Sequence, residues 1–499
     1  MKTILILMDS LNKRFLDMYG GWAKTPNLDR LAEKSCVFKN HFVGSAPCMP
    51  ARHDIMTGRV DFLERNWGPM MPFDCSLPHM LKKHGIFSEI ITDHYHYFRF
   101  GGENYVEQFS SWSFLRGQEF DPWVPDLGKP IERRFIGRDM QQYERNRTRF
   151  IKEEDYPSPR CFAEATKFVE DYRDEDFFLF LDTCDPHEPY DFPDGYERQY
   201  PDDYDGDLFY WPKYGYTDGI PEDAKQHVRN RYAETITMSD RWLGKLLDVL
   251  DKYSMWDDTA VFFVSDHGFM LGEKNLFGKN IMNAYNEIYH LPFMVHLPGM
   301  NTRTECNALT QNIDLMPTIL DLYGIPENEC WNRLHGHSLL PLLRGETDKV
   351  RDTVLYGIYG KQVCVFDGRY SYIRAAQRED NLPLYLYTAV PLAMGHFWDQ
   401  EHLKDLDRIE TGRFLKWTEY PVFRIPADTI AIEDVTHRFT PRSPMVSDTL
   451  LFDEKSDPDQ EHPIRDEALE KEMCKKLADA MRYHDSPDEQ FVRLGLEEY

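Results

Sequence analysis

The sequence predicts an α/β protein: a large, doubly wound, mostly parallel sheet flanked by helices, with a smaller C-terminal α+β subdomain built on an antiparallel sheet. Three observations carry this expectation. Short apolar runs alternate with helix-like stretches through the first 350 residues, the pattern of strand–helix–strand units. Four of those runs lead directly into acids and histidines, which packing of a core strand does not require. Beyond about residue 350 the texture changes to short strands joined by tight turns.

The opening "MKTILILMDSLNK" contains an apolar run, Ile4 to Met8, ended by Asp9. It is too short for a signal-peptide core and has no small-residue cleavage site, so it reads as a buried first strand. Further strands are expected at 87–92 ("FSEIIT", then "DHYHYF"), 177–183 ("FFLFLDT", then "CDPHEPY"), 259–266 ("TAVFFVSD", then "HGFMLGEKNLFGK") and 291–298. Helices are expected at 26–35, 76–84, 161–172, 222–252 and 313–323. Ligands of such sheets sit at the carboxyl ends of the strands. The stretches 99–160 and 190–222 are rich in Tyr, Trp and Asp and weakly periodic; a cover over a site and plain surface packing are equally good readings. Residues 353–375 read as hairpin-connected strands with Asp367-Gly368 as a turn. A strand and polar turn follow at 451–466, then a helix at 467–483. The expected division is a catalytic α/β domain, 1–350, and an α+β subdomain, 351–499.

The chain has 499 residues, 41% hydrophobic and 14% aromatic, enough to bury a large core. Its 58 basic and 85 acidic residues give a formal charge of −27. That argues against nucleic acid and anionic membranes as partners, but not against an anionic substrate, since a local cation outweighs distant charge. The nine cysteines include no Cys-x-x-Cys pair, which suits a reducing compartment. With no apolar run of membrane-spanning length, a cytoplasmic location is expected, and the chain is compatible with a homo-oligomer.

Asp9 and Asp266-His267 both end strands, and strand ends of a doubly wound sheet converge. Two carboxylates and an imidazole form a hard-leaning site for a divalent cation, Ca²⁺ ahead of Mn²⁺ or Mg²⁺; the plainer role of such an Asp is a helix cap. Cys48, in "SAPCMPARHDIMTGR", taken alone is a buried inert thiol. Pro50 suits an early helix position, which puts Cys48 near a helix N-terminus, where the dipole and Arg52 one turn on favour anionic oxygen.

Cys48-Met-Pro-Ala-Arg52, continued as His-Asp-Ile-Met-Thr57-Gly58-Arg59, resembles the signature of the sulfatases, in which this cysteine is oxidised after synthesis to formylglycine. "MDSLNKRFLDMYGG" with "TPNLDRLAEKSCVFKNHF", "VSDHGFMLGEKNLFGK", "NIDLMPTILDLYGIP" and "LFDEKSDPDQEHP" resemble further segments of the family in the same order. The wider group is the alkaline phosphatase superfamily, which includes phosphonate and phosphodiester hydrolases with the same formylglycine. The resemblance implies a metal held by Asp9, Asp266, His267 and oxygen of modified Cys48. One hydroxyl of the hydrated aldehyde would attack sulfur, and the other would expel the sulfate as the aldehyde re-forms. Arg52 would orient the diol. Lys279, twelve residues after His267, and His187 would neutralise sulfate oxygens. His94 or His96 would donate to nucleophile or leaving group. Asn66 would bind substrate oxygen or serve a turn, and Trp67, Tyr95 and Tyr97 would line a sugar or aryl pocket or pack in the core.

Three departures from the family pattern stand out. Asp9 is followed by Ser10 where the family often has a second acid. "TDHYHYF" lacks the lysine of the usual Lys-Trp-His string. Asp266-His267 replaces the Asp-Asn of many sulfatases, as in phosphonate and phosphodiester relatives. Glu287 and His290, which follow Lys279, receive no role. The expected function is hydrolysis of a sulfate ester of a carbohydrate or small organic molecule, after maturation by a formylglycine-generating enzyme. A phosphonate monoester or phosphodiester hydrolase is the alternative, and a non-catalytic binding relative the third reading.

Overall fold

A computed structural model describes residues 1–129, 131, 135–138, 140–430 and 448–499. Its centre is an eight-stranded sheet in the order Thr304–Gln311, Cys36–Phe42, His290–His296, Thr259–Val264, Lys2–Met8, Phe177–Thr183, Phe87–Thr92, Ser111–Phe114. Seven strands run parallel; His290–His296 alone is antiparallel to both neighbours. The fold is thus the expected mostly parallel α/β sheet. Every strand expected from an apolar run is present. The strands at 111–114 and 304–311, SWSF and TECNALTQ, lie at the two edges of the sheet and carry polar residues, and the interior strand at 36–42, CVFKNHF, interrupts its apolar run with Lys39, Asn40 and His41, so none of the three reads as an apolar run.

The first strand shows why both faces need helices. Ile4, Ile6 and Met8 join one core with Phe162, Val169, Ala233 and Leu247. Leu5 and Leu7 join the other with Met49, Ile55, Met80 and Ile319. Alternate side chains point to opposite faces, so a strand covered on both sides reads as a continuous apolar run. The helix Glu222–Lys252 lies on the first face beside Pro157–Asp171. Cys48–Thr57, Leu77–Lys83 and Leu315–Leu322 lie on the second.

Further along the chain, Val354–Gly357, Val363–Phe366, Tyr370–Arg374 and Leu450–Asp453 form an antiparallel sheet. Asp367 closes its turn by accepting from the N–H groups of Arg369 and Tyr370, and Gly368 takes φ +93°. The helix Glu467–Tyr483 packs on this sheet. The sheet also touches the segment that precedes Cys48: the Ala46 N–H donates to the Gly357 carbonyl at 2.9 Å. Among the described residues, no helix is long and apolar enough to cross a membrane.

Candidate active site

Three adjacent strands deliver acids to one sheet edge. Leu7 is in register with Asp182 on one side and Val264 on the other, so Asp9, Asp182 and Asp266 emerge together. Cys48 is the first residue of its helix, all ten residues of which are buried; Gly58, at φ +64°, ends it. The helix N-terminus therefore points its free N–H groups and positive dipole end at the acids.

The sulfur of Cys48 lies 3.0 Å from Nε2 of His267 and 4.0 Å from Oδ1 of Asp9. His267 Nε2 is 3.3 Å from Asp266 Oδ2 and 3.8 Å from Asp9 Oδ1. The donor atoms of Asp9, Cys48, Asp266 and His267 all fall within 4.8 Å of one another. Nδ1 of His267 is 2.9 Å from the Gly268 carbonyl. That bond needs the proton on Nδ1 and leaves the Nε2 lone pair facing the cluster.

Arg52 holds this cluster in shape. Its Nε and Nη2 grip Asp182 at 2.8 and 2.6 Å, and its Nη1 lies 2.7 Å from Asp266 Oδ2 and 3.0 Å from Asp9 Oδ2. Tyr97 adds a hydrogen bond to Asp182 at 2.8 Å. Arg52 is fully buried and reaches the Cys48 carbonyl, not its sulfur. Its ion pairs are with the three carboxylates, which it holds together beside Cys48. Ser10, in place of a second acid, donates to Asp9 Oδ1 at 2.7 Å and accepts from Lys279 Nζ at 3.0 Å. Lys279 Nζ is also 3.6 Å from the Cys48 sulfur.

Electrostatics follow from burial and charge. Burial, then the charge of Asp9, pushes the Cys48 thiol well up, so it is protonated at neutral pH. Burial, then Lys279, pulls His267 well down, leaving a neutral imidazole. Burial and the Asp9 charge push Asp266 up to about 7, whereas Arg52, with Lys279, overcomes burial and holds Asp9 well down. Like charges this close do not both ionise easily without a further cation. Asp9 Oδ2 is buried and receives no hydrogen bond among the described residues, although Arg52 stands beside it. Two carboxylates, a neutral imidazole and an unsatisfied oxygen suit a divalent cation.

Above the cluster lies a cavity of about 320 Å³. Cys48, Lys279, His96 and His187 line it, with Glu119, Arg99, Arg138, Asn280, Pro47 and the aromatic side chains Trp67, Tyr95, Phe120, Trp211 and Tyr214. Nδ1 of His187 is 2.6 Å from the Glu188 carbonyl, which turns Nε2 away from that bond. Glu119 faces both imidazoles, 3.5 Å from His96 Nε2 and 3.9 Å from His187 Nε2. Glu188 accepts from Tyr214 at 2.6 Å and lies 3.7 Å from Lys279.

Asn66, His94 and Tyr97 are outside the lining. Of the three aromatic residues expected at a pocket, Trp67 and Tyr95 line the cavity. His94 is fully buried beneath the cavity floor, 3.8 Å from Asp9, and neither ring nitrogen has a hydrogen bond among the described residues. Of the two histidines considered, His96 is the one that meets the cavity. Sequence reasoning passed over Asp182, Ser10, Glu119, Glu188, Arg99, Arg138 and Tyr214. Asp182 was open to detection, since "FFLFLDT" also ends in an acid. The stretches 99–160 and 190–222 supply Arg99, Glu119, Phe120, Arg138, Trp211 and Tyr214, so parts of them do roof the cavity.

The site thus sets Cys48 at a helix N-terminus, facing acids and an imidazole at parallel strand ends. The chain belongs to the sulfatase family: the Sulfatase family model matches residues 2–325, and the model for the C-terminal part of N-sulphoglucosamine sulphohydrolase matches 272–415. It is accordingly a sulfuric ester hydrolase. A choline-sulfatase of Rhizobium meliloti (strain 1021) is 26% identical over 76% of this chain and 79% of its own length. An N-acetylglucosamine-6-O-sulfatase of Bacteroides thetaiotaomicron is 24% identical over 69% of this chain and 71% of its own. Among solved structures, the phosphonate monoester hydrolase of Agrobacterium radiobacter superposes with a TM-score of 0.66 at 18% identity, covering 97% of this chain and 96% of that one. A protein solved with D-glucosamine-2-N,6-O-disulfate as its substrate gives 0.64 at 17% identity, over 98% and 99%. At these identities the superpositions speak to the fold.

Proposed function

We propose that this enzyme hydrolyses a sulfate ester of a carbohydrate or small organic alcohol, using formylglycine matured from Cys48 and a divalent cation, Ca²⁺ ahead of Mn²⁺ or Mg²⁺. The observation that carries the reading is the convergence on the Cys48 sulfur: His267 at 3.0 Å, Lys279 at 3.6 Å and Asp9 at 4.0 Å, at the floor of a cavity. A protonated, buried thiol is a poor nucleophile, which favours its use as raw material for an aldehyde. The hydrated aldehyde would supply an oxygen nucleophile, and the cation would lower the pKa of that oxygen and polarise the ester.

The chain's own residues complete the chemistry. Asp9, Asp266 and His267 would hold the cation, and Arg52 and Asp182 would keep Asp9 and Asp266 in register. Lys279 would meet the charge on the sulfate oxygens, where a fixed cation in a water-poor site acts strongly. His187 would join it from the cavity wall. His96, beside Glu119, would hand a proton to the departing alcohol. Maturation requires a formylglycine-generating enzyme that reads the segment around Cys48.

The neighbouring Asp266-His267 pair favours a second reading, a phosphonate monoester or phosphodiester hydrolase with the same centre. Mass spectrometry of the Cys48 peptide from protein made in its native host tests the modification: formylglycine is about 18 Da lighter than cysteine. Turnover of an aryl sulfate, a phenylphosphonate monoester and a phosphodiester then ranks the substrates. An unmodified thiol sinks both readings, and a diester preferred by orders of magnitude replaces the first by the second.

A further inference from the structure

The cavity walls carry more positive charge than one sulfate monoester needs. The chain's formal charge is −27, yet the lining includes Lys279, Arg99 and Arg138 against a single carboxylate, Glu119. Lys279 is engaged with Ser10 and Cys48, and Glu119 faces His96 and His187. Neither Arg99 nor Arg138 forms an ion pair with any described residue.

Both arginines are held in built positions. Arg138 stacks on Phe120 and Trp211, its guanidinium carbon 4.6 and 5.2 Å from the ring centroids. The preceding Gly137, at φ +111°, leaves no room for a Cβ against the Trp211 carbonyl, and the Arg138 N–H donates to that carbonyl at 3.0 Å. A guanidinium stacked by its faces keeps its N–H fork free at the edge. Arg99 packs across Gly395, whose φ of +104° and missing side chain make the space. Two of the lining rings, Phe120 and Trp211, are thereby covered by an arginine and closed to a cationic group.

We infer that Arg99 and Arg138 form a subsite for a second anionic group, so that the preferred substrate is a sulfate ester carrying another carboxylate or sulfate on the same molecule. This rests on the sulfate-ester reading. The second anion sits against the two guanidinium edges while the scissile sulfate lies at Lys279 and Cys48. Paired charge-assisted bonds to arginine recognise carboxylate and sulfate oxygens alike.

The test compares kcat/KM for four probes: a sulfated uronic acid, a disulfated hexosamine, a neutral monosulfated hexose and choline sulfate. The expected result is a preference of about tenfold or more for one or both dianionic probes, the size of one charge-assisted bond. The carboxylate and disulfate arms tell which anion it is. Arg138→Ala and Arg99→Ala should collapse the ratio of dianionic to neutral turnover through KM, and Arg138→Lys should restore part of it. Calorimetric binding of the same probes to the wild-type protein reads the preference independently of turnover. A neutral or cationic probe that matches the dianions in both assays overturns the inference, as does a ratio unchanged by the arginine variants. If only phosphonates are cleaved, the sulfate reading fails by itself; carboxylated and uncarboxylated phenylphosphonate monoesters then decide the subsite by the same ratio.

Discussion

The Cys48 sulfur stands 3.0 Å from Nε2 of His267, although the two residues are far apart in sequence and belong to a helix start and a strand end. The Gly268 carbonyl fixes the imidazole tautomer, so its lone pair faces the sulfur. With the Cys48 side chain gone, the cavity floor loses the proposed nucleophile while the rest of the cluster stays. Cys48→Ala should lower kcat by about 10³-fold or more, as loss of a nucleophile does elsewhere. Initial rates on the best sulfate ester, with circular dichroism to check folding, measure it; a variant with near-normal turnover would remove Cys48 from the mechanism.

Arg52 is the sole described cation in contact with Asp9, Asp182 and Asp266 together. Arg52→Met leaves three buried carboxylates without it. Removing one partner of a buried ion pair typically costs about 3–5 kcal/mol, and a loss of that order is expected in denaturant melts. Millimolar Ca²⁺ or Mn²⁺ should recover part of it and chelation of the wild type should abolish turnover. Indifference of both proteins to chelator would count against a cation in this cluster.

Lys279 is 4% exposed and sits between Ser10 and the Cys48 sulfur. Lys279→Ala should cut kcat/KM by about 10²–10³-fold, the usual size for a lost donor to developing charge. Tyr214→Phe removes only the bond to Glu188, which lies 3.7 Å from that lysine, and about tenfold is expected for one bond to a charged group. Steady-state kinetics should reproduce this order; a larger loss in the tyrosine variant would contradict it.

Asp93 gives a pH dependence with a definite sign. It is fully buried, accepts from Ser158 and the Cys184 N–H, and burial pushes it up to about 7. An unfolded Asp titrates near 3.9, so between about pH 4 and 7 the folded state holds the extra proton. Stability from this group is therefore fully present below about pH 4 and lost as pH rises to 7, by up to about 4 kcal/mol. Asp93→Asn should flatten that part of the profile and stabilise the protein at pH 8. Thermal melts of both proteins across the range test this; identical slopes would refute it.

The central strands were legible because a strand buried on both faces must be apolar throughout, as in 3–8, 177–183 and 259–264. The helix at 222–252 was legible for the corresponding reason at helical period. The strands 36–42 and 304–311 were not, since local polarity there answers to neighbours that only the folded sheet provides. Ser10 and Asp182 show the same limit in the site: a serine after an acid and an acid at a strand end carry no signal until Lys279 and Arg52 are seen against them.

The sequence by itself determined the α/β class, the strand-end acids Asp9 and Asp266, and Cys48 at the head of a helix, because apolar period, turn chemistry and motif spacing are local properties. Tertiary structure alone decided that Arg52 binds carboxylates and not the sulfur, that His96 and not His94 meets the cavity, and that Arg99, Glu119 and Arg138 join it. Those outcomes depend on distances between segments hundreds of residues apart. They are set by how long-range packing distributes buried charge, and no local pattern encodes that.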